Sequence, residues 1–257
     1  MREPSVVAAL HEARRDGRRA RIDDSPLRLD GALGVQLSVA DSFLAAGERI
    51  GGWKAGSTSG RSRDALGAGF RPFGYVLESR ISRSGVALPL DGFARCLIEP
   101  ELCLILGSPL KGEVDALRAR AAVRAVAPAF ELVDQRVVGG AQDPANFVAD
   151  GMGNWGIVVG DDTPVDEGLG SSIDGIALDL RQGGETVARA TAGRDLTIDD
   201  PFLALSRACS LLAEHGRGMQ AGQAVVTGSF VPAVPVDAPG SWTAGFSGVG
   251  EVSVTFE

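Results

Sequence analysis

One segment limits the folds open to this chain more than any other: ARCLIEPELCLILG, Ala94 to Gly107. It is too short for a membrane span, which needs ~20 apolar residues. Arg95 to Leu106 instead reads as a strand. Alternate side chains of a strand share a face, so Ile98, Leu102, Leu104 and Leu106 are expected to pack into a core. Glu99 and Glu101 then stand together on the other face, about 7 Å apart, with Pro100 between them. That face is either the wet side of an antiparallel sheet or a site where a cation or a proton neutralises the pair, because like charges repel where water is scarce. The apolar run that follows predicts a deeply buried strand and favours the second reading. Pro100 has no backbone donor and predicts an edge strand or a bulge, and bulges often border active sites.

The remainder of the chain predicts helices first, then strands with two interspersed helices. Val6, Val7, Leu10 and Ala13 recur at helical spacing after Pro4-Ser5. A short connection over Asp23 to Leu29 leads to a second helix, with Asp30 as N-cap, Leu33, Leu37, Ala40 and Leu44 on one face, and Gly47 just past its end. Strands are expected at Ile50 to Lys54, Phe130 to Val138, Ile157 to Val159, Ile176 to Leu180, Thr186 to Ala190, Ala224 to Gly228 and Ser241 to Phe246. A last strand carries Val252, Val254 and Phe256 in strict alternation. Phe70 to Ser79 reads as a short helix or an irregular loop, and Glu113 to Val126 as a helix. Asp199-Asp200-Pro201 opens a further helix that stops at Gly216. Glycine makes up 35 of 257 residues, about twice the usual share, and points to turns and close backbone approaches. This order is not a βαβα alternation, and an α+β domain around a mixed or rolled sheet fits it best.

Charge and cysteine usage exclude several classes of function. The formal net charge of −8 speaks against a general nucleic-acid binder, since phosphate attraction needs a basic surface. The run Arg14, Arg15, Arg18, Arg19, Arg21 is the exception and reads as a solvated helix face and linker. Cys96, Cys103 and Cys209 form no CxxC and no pairing framework, which suggests reduced thiols. Neither a membrane span nor a basic-then-apolar leader is evident, so a soluble cytoplasmic protein is expected.

Beyond the Glu99–Glu101 pair, VAPAFELVDQRV places Glu131 in a second expected strand. Its plain reading is a cross-strand partner for an Arg or Lys. Three carboxylates without a His or Cys cluster would make an oxygen-only site, suited to Mg²⁺ or Mn²⁺ and not to zinc. In GGWKAGSTSG, Lys54 stands on a strand end in a glycine-rich stretch. It is either a solvent-facing lysine or a group that reaches an anion, and with a depressed pKa it could act as acid or base. The spacing is not a phosphate-cradling GxxxxGK[ST]. His11 and His215 fall on expected helices far from these motifs, which leaves a Ser-His-Asp or Cys-His mechanism without a base. Trp53 and Trp155 flank the segments as core residues or pocket walls.

Taken in order, GGWKAGSTSG, EPELCLILG, PAFELVDQRV, ADGMGNWGIVVG and AGQAVVTGS…GVGEVSVTF resemble the 2-keto-4-pentenoate hydratase/4-oxalocrotonate decarboxylase family of the fumarylacetoacetate hydrolase superfamily. The resemblance runs from about Leu29 to the C-terminus. It implies a mixed β-roll core of the superfamily's C-terminal type over residues 48–257, with an N-terminal helical region over 1–47. It implies Glu99, Glu101 and Glu131 as ligands of Mg²⁺ or Mn²⁺ and Lys54 as the active-site lysine. Trp53, Glu78 and Asn154 are the expected substrate contacts beside them. The resemblance also implies a small 2-oxo acid substrate, a cytoplasmic homo-oligomer working in aromatic catabolism, and room for a complex with another enzyme of the pathway.

The chain departs from the family where a pattern like ADNASS is usual and ADGMGNWG stands, with Gly151, Met152, Gly153 and Asn154 at the changed places. RDLTIDDP (Arg194 to Pro201) replaces the family's Leu-Gly-His-Pro pattern. The metal half of the site is therefore expected to survive and the substrate half to be altered. A hydratase acting on a 2-oxo-alkenoate is the leading expectation. A decarboxylase, a C–C bond hydrolase and a non-catalytic accessory subunit are the alternatives.

Overall fold

The computed structural model describes residues 3–22, 27–137, 143–169 and 172–257. Part of the expected Asp23 to Leu29 connection and Val138, the expected end of a strand, lie outside them. Helix α1 (Glu3–Asp16) buries Val6, Leu10 and Ala13 against α2 (Leu29–Ala45). Arg28 occupies the N-cap of α2 and makes no side-chain cap bond. Asp30 therefore lies inside the first turn, where its charge meets the positive end of the helix dipole. Gly47 sits at φ +94°. Its N–H donates to the Leu44 carbonyl, and that of Glu48 donates to Phe43, the pair of bonds that closes a helix on a left-handed glycine.

The main sheet has nine strands. Its path is β2 (Phe73–Leu77), β1 (Ile50–Ala55), β13 (Ala224–Ser229), β5 (Cys96–Leu106), β7 (Val123–Asp134), β8 (Asn154–Val159) and β3 (Ile81–Arg83). Two short strands, β14 (Val234–Pro235) and β9 (Thr163–Pro164), pair with β5 and β7. The β1–β13 and β3–β8 pairs are parallel and the others antiparallel. β2 lies against β8 across the curled sheet. A five-stranded sheet runs β11 (Glu185–Thr191), β10 (Ala177–Gln182), β15 (Gly240–Phe246), β16 (Gly250–Phe256), β4 (Val86–Leu88), and it packs through β15 and β16 on β7. The pair β12 (Gly218–Met219) and β6 (Leu110–Lys111) stands apart. Short helices α3 (Ala116–Ala122), α4 (Pro144–Ala149) and α5 (Val165–Gly168) and the longer α6 (Pro201–Glu214) complete the fold. This is the expected α+β architecture with a mixed, rolled sheet.

The two faces of β5 enter different cores, as their alternation requires. Ile98, Leu102, Leu104 and Leu106 join the large cluster that includes α1 and α2. Cys103 and Ile105 join a smaller cluster of alanines, valines and isoleucines on the face that carries the glutamates.

The structure corrects four expectations. Phe73–Leu77 is a strand, buried at every residue; a strand covered on both faces shows no alternation to read. Helix α3 is short, because Asp115 caps it by accepting from the Arg118 N–H and the chain passes directly into β7 at Val123. β5 is a central strand, not an edge. Pro100 is accommodated because it falls in the gap between β13, which ends opposite Glu101, and β14, which begins opposite Ile98; just before that gap β13 bulges, with Thr227 and Gly228 opposite Leu102 alone. Finally, Arg14 is not a solvated basic residue but is 7% exposed. Its guanidinium donates to the Asp150 carbonyl at 2.9 Å and the Asn154 carbonyl at 2.7 Å, and it stacks over the Tyr75 ring.

Arg14 thus pins the turn before β8 to the N-terminal helix. Arg14→Ala leaves the buried Asp150 carbonyl without its arginine donor, while Arg136 still holds the Asn154 carbonyl and the Asp150 carboxylate; it should cost about 1–3 kcal/mol of unfolding free energy, measured by urea denaturation.

Candidate metal centre

Three glutamates converge because of register. β5 and β7 pair Glu99 directly with Glu131, and Glu101 follows two residues along the same face of β5. One carboxylate oxygen from each of Glu99, Glu101 and Glu131 lies within 4.8 Å of the others. Like charges this close destabilise the sheet unless something offsets them. Lys54 supplies part of the offset. It is buried, it comes from β1 on the same face, and its Nζ donates to Glu131 Oε1 at 2.5 Å. Asn154, at the start of β8, donates from Nδ2 to the same oxygen at 3.0 Å.

The bulge in β13 provides the next contact. Gly228, at φ +134°, aims its N–H at Glu101 Oε2, 2.6 Å away. A Cβ there would lie 2.3 Å from Thr58 Oγ1, so the position requires glycine. The acceptor atoms Glu131 Oε2 and Asn154 Oδ1 are buried and have no hydrogen-bond partner among the described residues.

The electrostatics match this geometry. Burial, with the charge of Glu131 added, pushes the Glu99 carboxyl up to about 7. Burial and the charges of Glu131 and Glu99 hold Glu101 well above the carboxylate range. Burial pulls Lys54 down, but attraction to Glu131, Glu99 and Glu101 outweighs it and leaves the ammonium above its ordinary value. The depressed lysine pKa considered from the sequence does not hold for this arrangement. When all three carboxylates are ionised, one ammonium leaves two negative charges, which a single divalent cation would cancel in place of the protons that the raised carboxyls otherwise hold. The donor set is entirely oxygen, and Glu131 presents a buried oxygen in need of a partner, so the residues fit a hard divalent ion.

Lys54, Glu99 and Glu101 open into a cavity of about 230 Å³. One side is the strip Ala55 to Ser59, held in place by the segment before α6: the Asp199 N–H donates to the Thr58 carbonyl, and Ser59 bridges Ile198. Asp199 in turn accepts from Arg71 at 2.5 Å and Arg63 at 2.8 Å. RDLTIDDP therefore secures the cavity wall, a role that no sequence pattern announced. Another side is formed by Leu97, Val133, Phe147 and Met152. Met152 sits between Gly151 and Gly153, all three at positive φ. Only the methionine pays for that conformation, roughly 1–2 kcal/mol. Arg14 and Arg136 hold this turn through the carbonyls of Asp150, Gly153 and Asn154.

The structure does not bring every expected residue together. Trp53 precedes Lys54 in β1 and so faces the opposite side of the sheet. It bonds Gln223 Oε1 through Nε1 and packs on Phe73, away from the glutamates. Glu78 lies on the surface in an ion pair with Arg49. Neither lines the cavity, and the third expected substrate contact, Asn154, is fully buried and meets Glu131 instead of the cavity. His11 rests on Phe43, and His215 lies near Phe73 at the end of α6.

No family model matches the chain. It is 30% identical over 216 residues to a 4-oxalocrotonate decarboxylase from a Pseudomonas species, an alignment covering 82% of this chain and 80% of that one. It is 30% identical over 258 residues to a 2-keto-4-pentenoate hydratase from Burkholderia vietnamiensis, covering 98% and 96%. Its fold matches that of 4-oxalocrotonate decarboxylase from Pseudomonas putida G7 complexed with magnesium and adipate, at TM-score 0.88 and 23% identity over 100% of this chain and 99% of that one.

The raised carboxyls give a pH signature. The stability that Glu99 contributes is full below its ordinary value of 4.5 and is lost as pH rises through about 7. In EDTA, the melting temperature should fall between pH 5 and pH 8. Added Mg²⁺ should raise it more at pH 8 than at pH 5, where protons compete for the same oxygens.

Proposed function

The chain belongs to the 2-keto-4-pentenoate hydratase/4-oxalocrotonate decarboxylase family of the fumarylacetoacetate hydrolase superfamily, and from that premise we propose that it is a metal-dependent hydratase adding water to a 2-oxo-alkenoate of the 2-hydroxypenta-2,4-dienoate type. The observation that carries this reading is the triplet of carboxylates within 4.8 Å, one of which also binds a buried ammonium. Glu99, Glu101 and Glu131 would hold Mg²⁺ or Mn²⁺. When bound, the ion supplies a Lewis acid that offsets negative charge on the 2-oxo oxygen as enol and keto forms interchange.

The chain's own residues do the rest. Lys54 and Asn154 both donate to Glu131 Oε1, which orients that carboxylate and leaves Oε2 as its free acceptor. Neutralising the glutamates removes the attraction that holds the Lys54 proton, so Nζ becomes able to release it and take it back. Lys54 is therefore assigned the proton transfer that converts the dienol to the unsaturated ketone, or the orientation of the water that adds to it. The apolar wall of Leu97, Val133 and Phe147 limits bulk water around that step.

A decarboxylase is the second reading, favoured by the relative of that name at equal identity. Loss of CO₂ from a 2-oxo acid uses the same stabilised negative charge, so the ligands serve either outcome. Hydrolysis of a C–C bond by a histidine-activated water has less support, since His11 and His215 both lie outside the cavity. The relatives are named as enzymes, which supports catalysis over an accessory role. A cytoplasmic homo-oligomer in aromatic catabolism is part of the same proposal, as is contact with another enzyme of the pathway. Family membership supports these points, and sedimentation would test the assembly.

With Mg²⁺ and a 2-hydroxydienoate, water addition should be seen without CO₂ release, and EDTA should abolish it. CO₂ release from a 4-oxalocrotonate-type substrate without hydration would select the second reading. Lys54→Ala should lower kcat about 10²–10⁴-fold while Mg²⁺ still binds by calorimetry.

A further inference from the structure

The turn before β8 carries a feature that metal binding does not explain. Gly151, Met152 and Gly153 are consecutive left-handed residues at φ +65°, +58° and +75°, and only the middle one has a side chain. A strained non-glycine residue on a cavity wall is a reason to look for a role. Met152 is 3% exposed, lines the same cavity as Lys54, Glu99 and Glu101, and reaches Gly56 on the far strip. A Cβ on Gly56 would lie 2.2 Å from the Met152 sulfur. The missing side chain at 56 thus makes the room that the thioether fills, and the two residues set how far the cavity extends.

The chemistry of the wall is equally restricted. Among the described residues lining the cavity, Lys54 is the only cation, and it is bound to Glu131. Arg63 and Arg71, behind the Ser57–Ser59 strip, are committed to Asp199. Once the 2-oxo acid group is held at the metal site, the remainder of a ligand meets thioether, aromatic and aliphatic surface, neutral hydroxyls and the neutral Gln135 amide. A second carboxylate would be buried there without a counter-charge, which is strongly unfavourable.

We propose that Met152 is a specificity-determining residue: packed over Gly56, it sets how long a tail the site accepts among the 2-oxo acids with short, uncharged tails that the hydratase reading already names. This rests on the 2-oxo acid reading above and adds the residue that limits tail length.

Binding to the intact Mg²⁺-loaded protein, followed by calorimetry, tests it without requiring turnover. 2-Oxopentanoate and 2-oxoglutarate have the same number of carbons and differ in a terminal methyl against a terminal carboxylate. 2-Oxopentanoate should bind at least ~10-fold tighter. Met152→Gly relieves the left-handed strain but gives up a buried side chain, so its fold is checked by retained Mg²⁺ binding; it should reduce the preference for 2-oxopentanoate over 2-oxooctanoate by about 10-fold or more. If 2-oxoglutarate binds equally well or better, the tail assignment is overturned while the metal-dependent reading stands. If Met152→Gly leaves the chain-length preference unchanged, the role of Met152 is overturned. If Mg²⁺ binds but neither acid does, the 2-oxo acid reading fails and takes this inference with it. The wild-type comparison decides the charge question whatever the variant does.

Discussion

Repulsion among Glu99, Glu101 and Glu131 is the constraint around which the sheet is arranged. The β5–β7 register sets two of them face to face, and strand alternation brings in the third. Unrelieved, such a cluster would cost more than the surrounding apolar packing could readily offset. The fold answers with one ammonium, one amide and one backbone N–H. With all three carboxylates ionised, these leave two negative charges to be met by protons or a cation, and a buried oxygen without a partner among the described residues. A structure that keeps this imbalance at the mouth of a cavity is organised to receive a cation.

The supporting elements follow from that need. Gly228 is free of a side chain because the bulge must present its N–H to Glu101 while passing Thr58. The gap beyond that bulge, between β13 and β14, lets a proline sit in the middle of a central strand. Arg14, from the N-terminal region, and Arg136, just past β7, both bind the carbonyl of Asn154 and one carbonyl before it, so the residue holding Glu131 is itself held. Asp199 gathers Arg63 and Arg71 and keeps the Thr58 strip against the cavity. Helices α1, α2 and α6 are in this sense the frame of the site, although none of them provides a ligand.

The part of the site legible in the sequence was the part written in local alternation. The pattern of Glu99 and Glu101 against Ile98 and Leu102 identified both faces of β5, and Glu131 and Lys54 stood out as charges in apolar or glycine-rich surroundings. What depends on long-range partners was not legible. Arg14 looked like one of five surface arginines, because nothing near it in sequence reveals carbonyls 136 and 140 residues away. Trp53 was placed in the pocket by its neighbour's role, although adjacent strand residues face opposite ways. Glu78 was misplaced because the strand before it was not recognised: Phe73–Leu77 is buried on both faces and gives no periodic signal, and Glu78 opens the exposed turn that follows it. The glycines of ADGMGNWG read as a loss of polar groups, whereas their torsions show a turn built to present one methionine.

The central claim is that a single divalent ion is held jointly by three glutamates from two paired strands. Crystals soaked in Mn²⁺ and measured for anomalous scattering test it most directly. The account predicts one strong peak within about 2.0–2.3 Å of carboxylate oxygens from Glu99, Glu101 and Glu131 together. A peak bound elsewhere, or none in the cavity at saturating Mn²⁺, would contradict it.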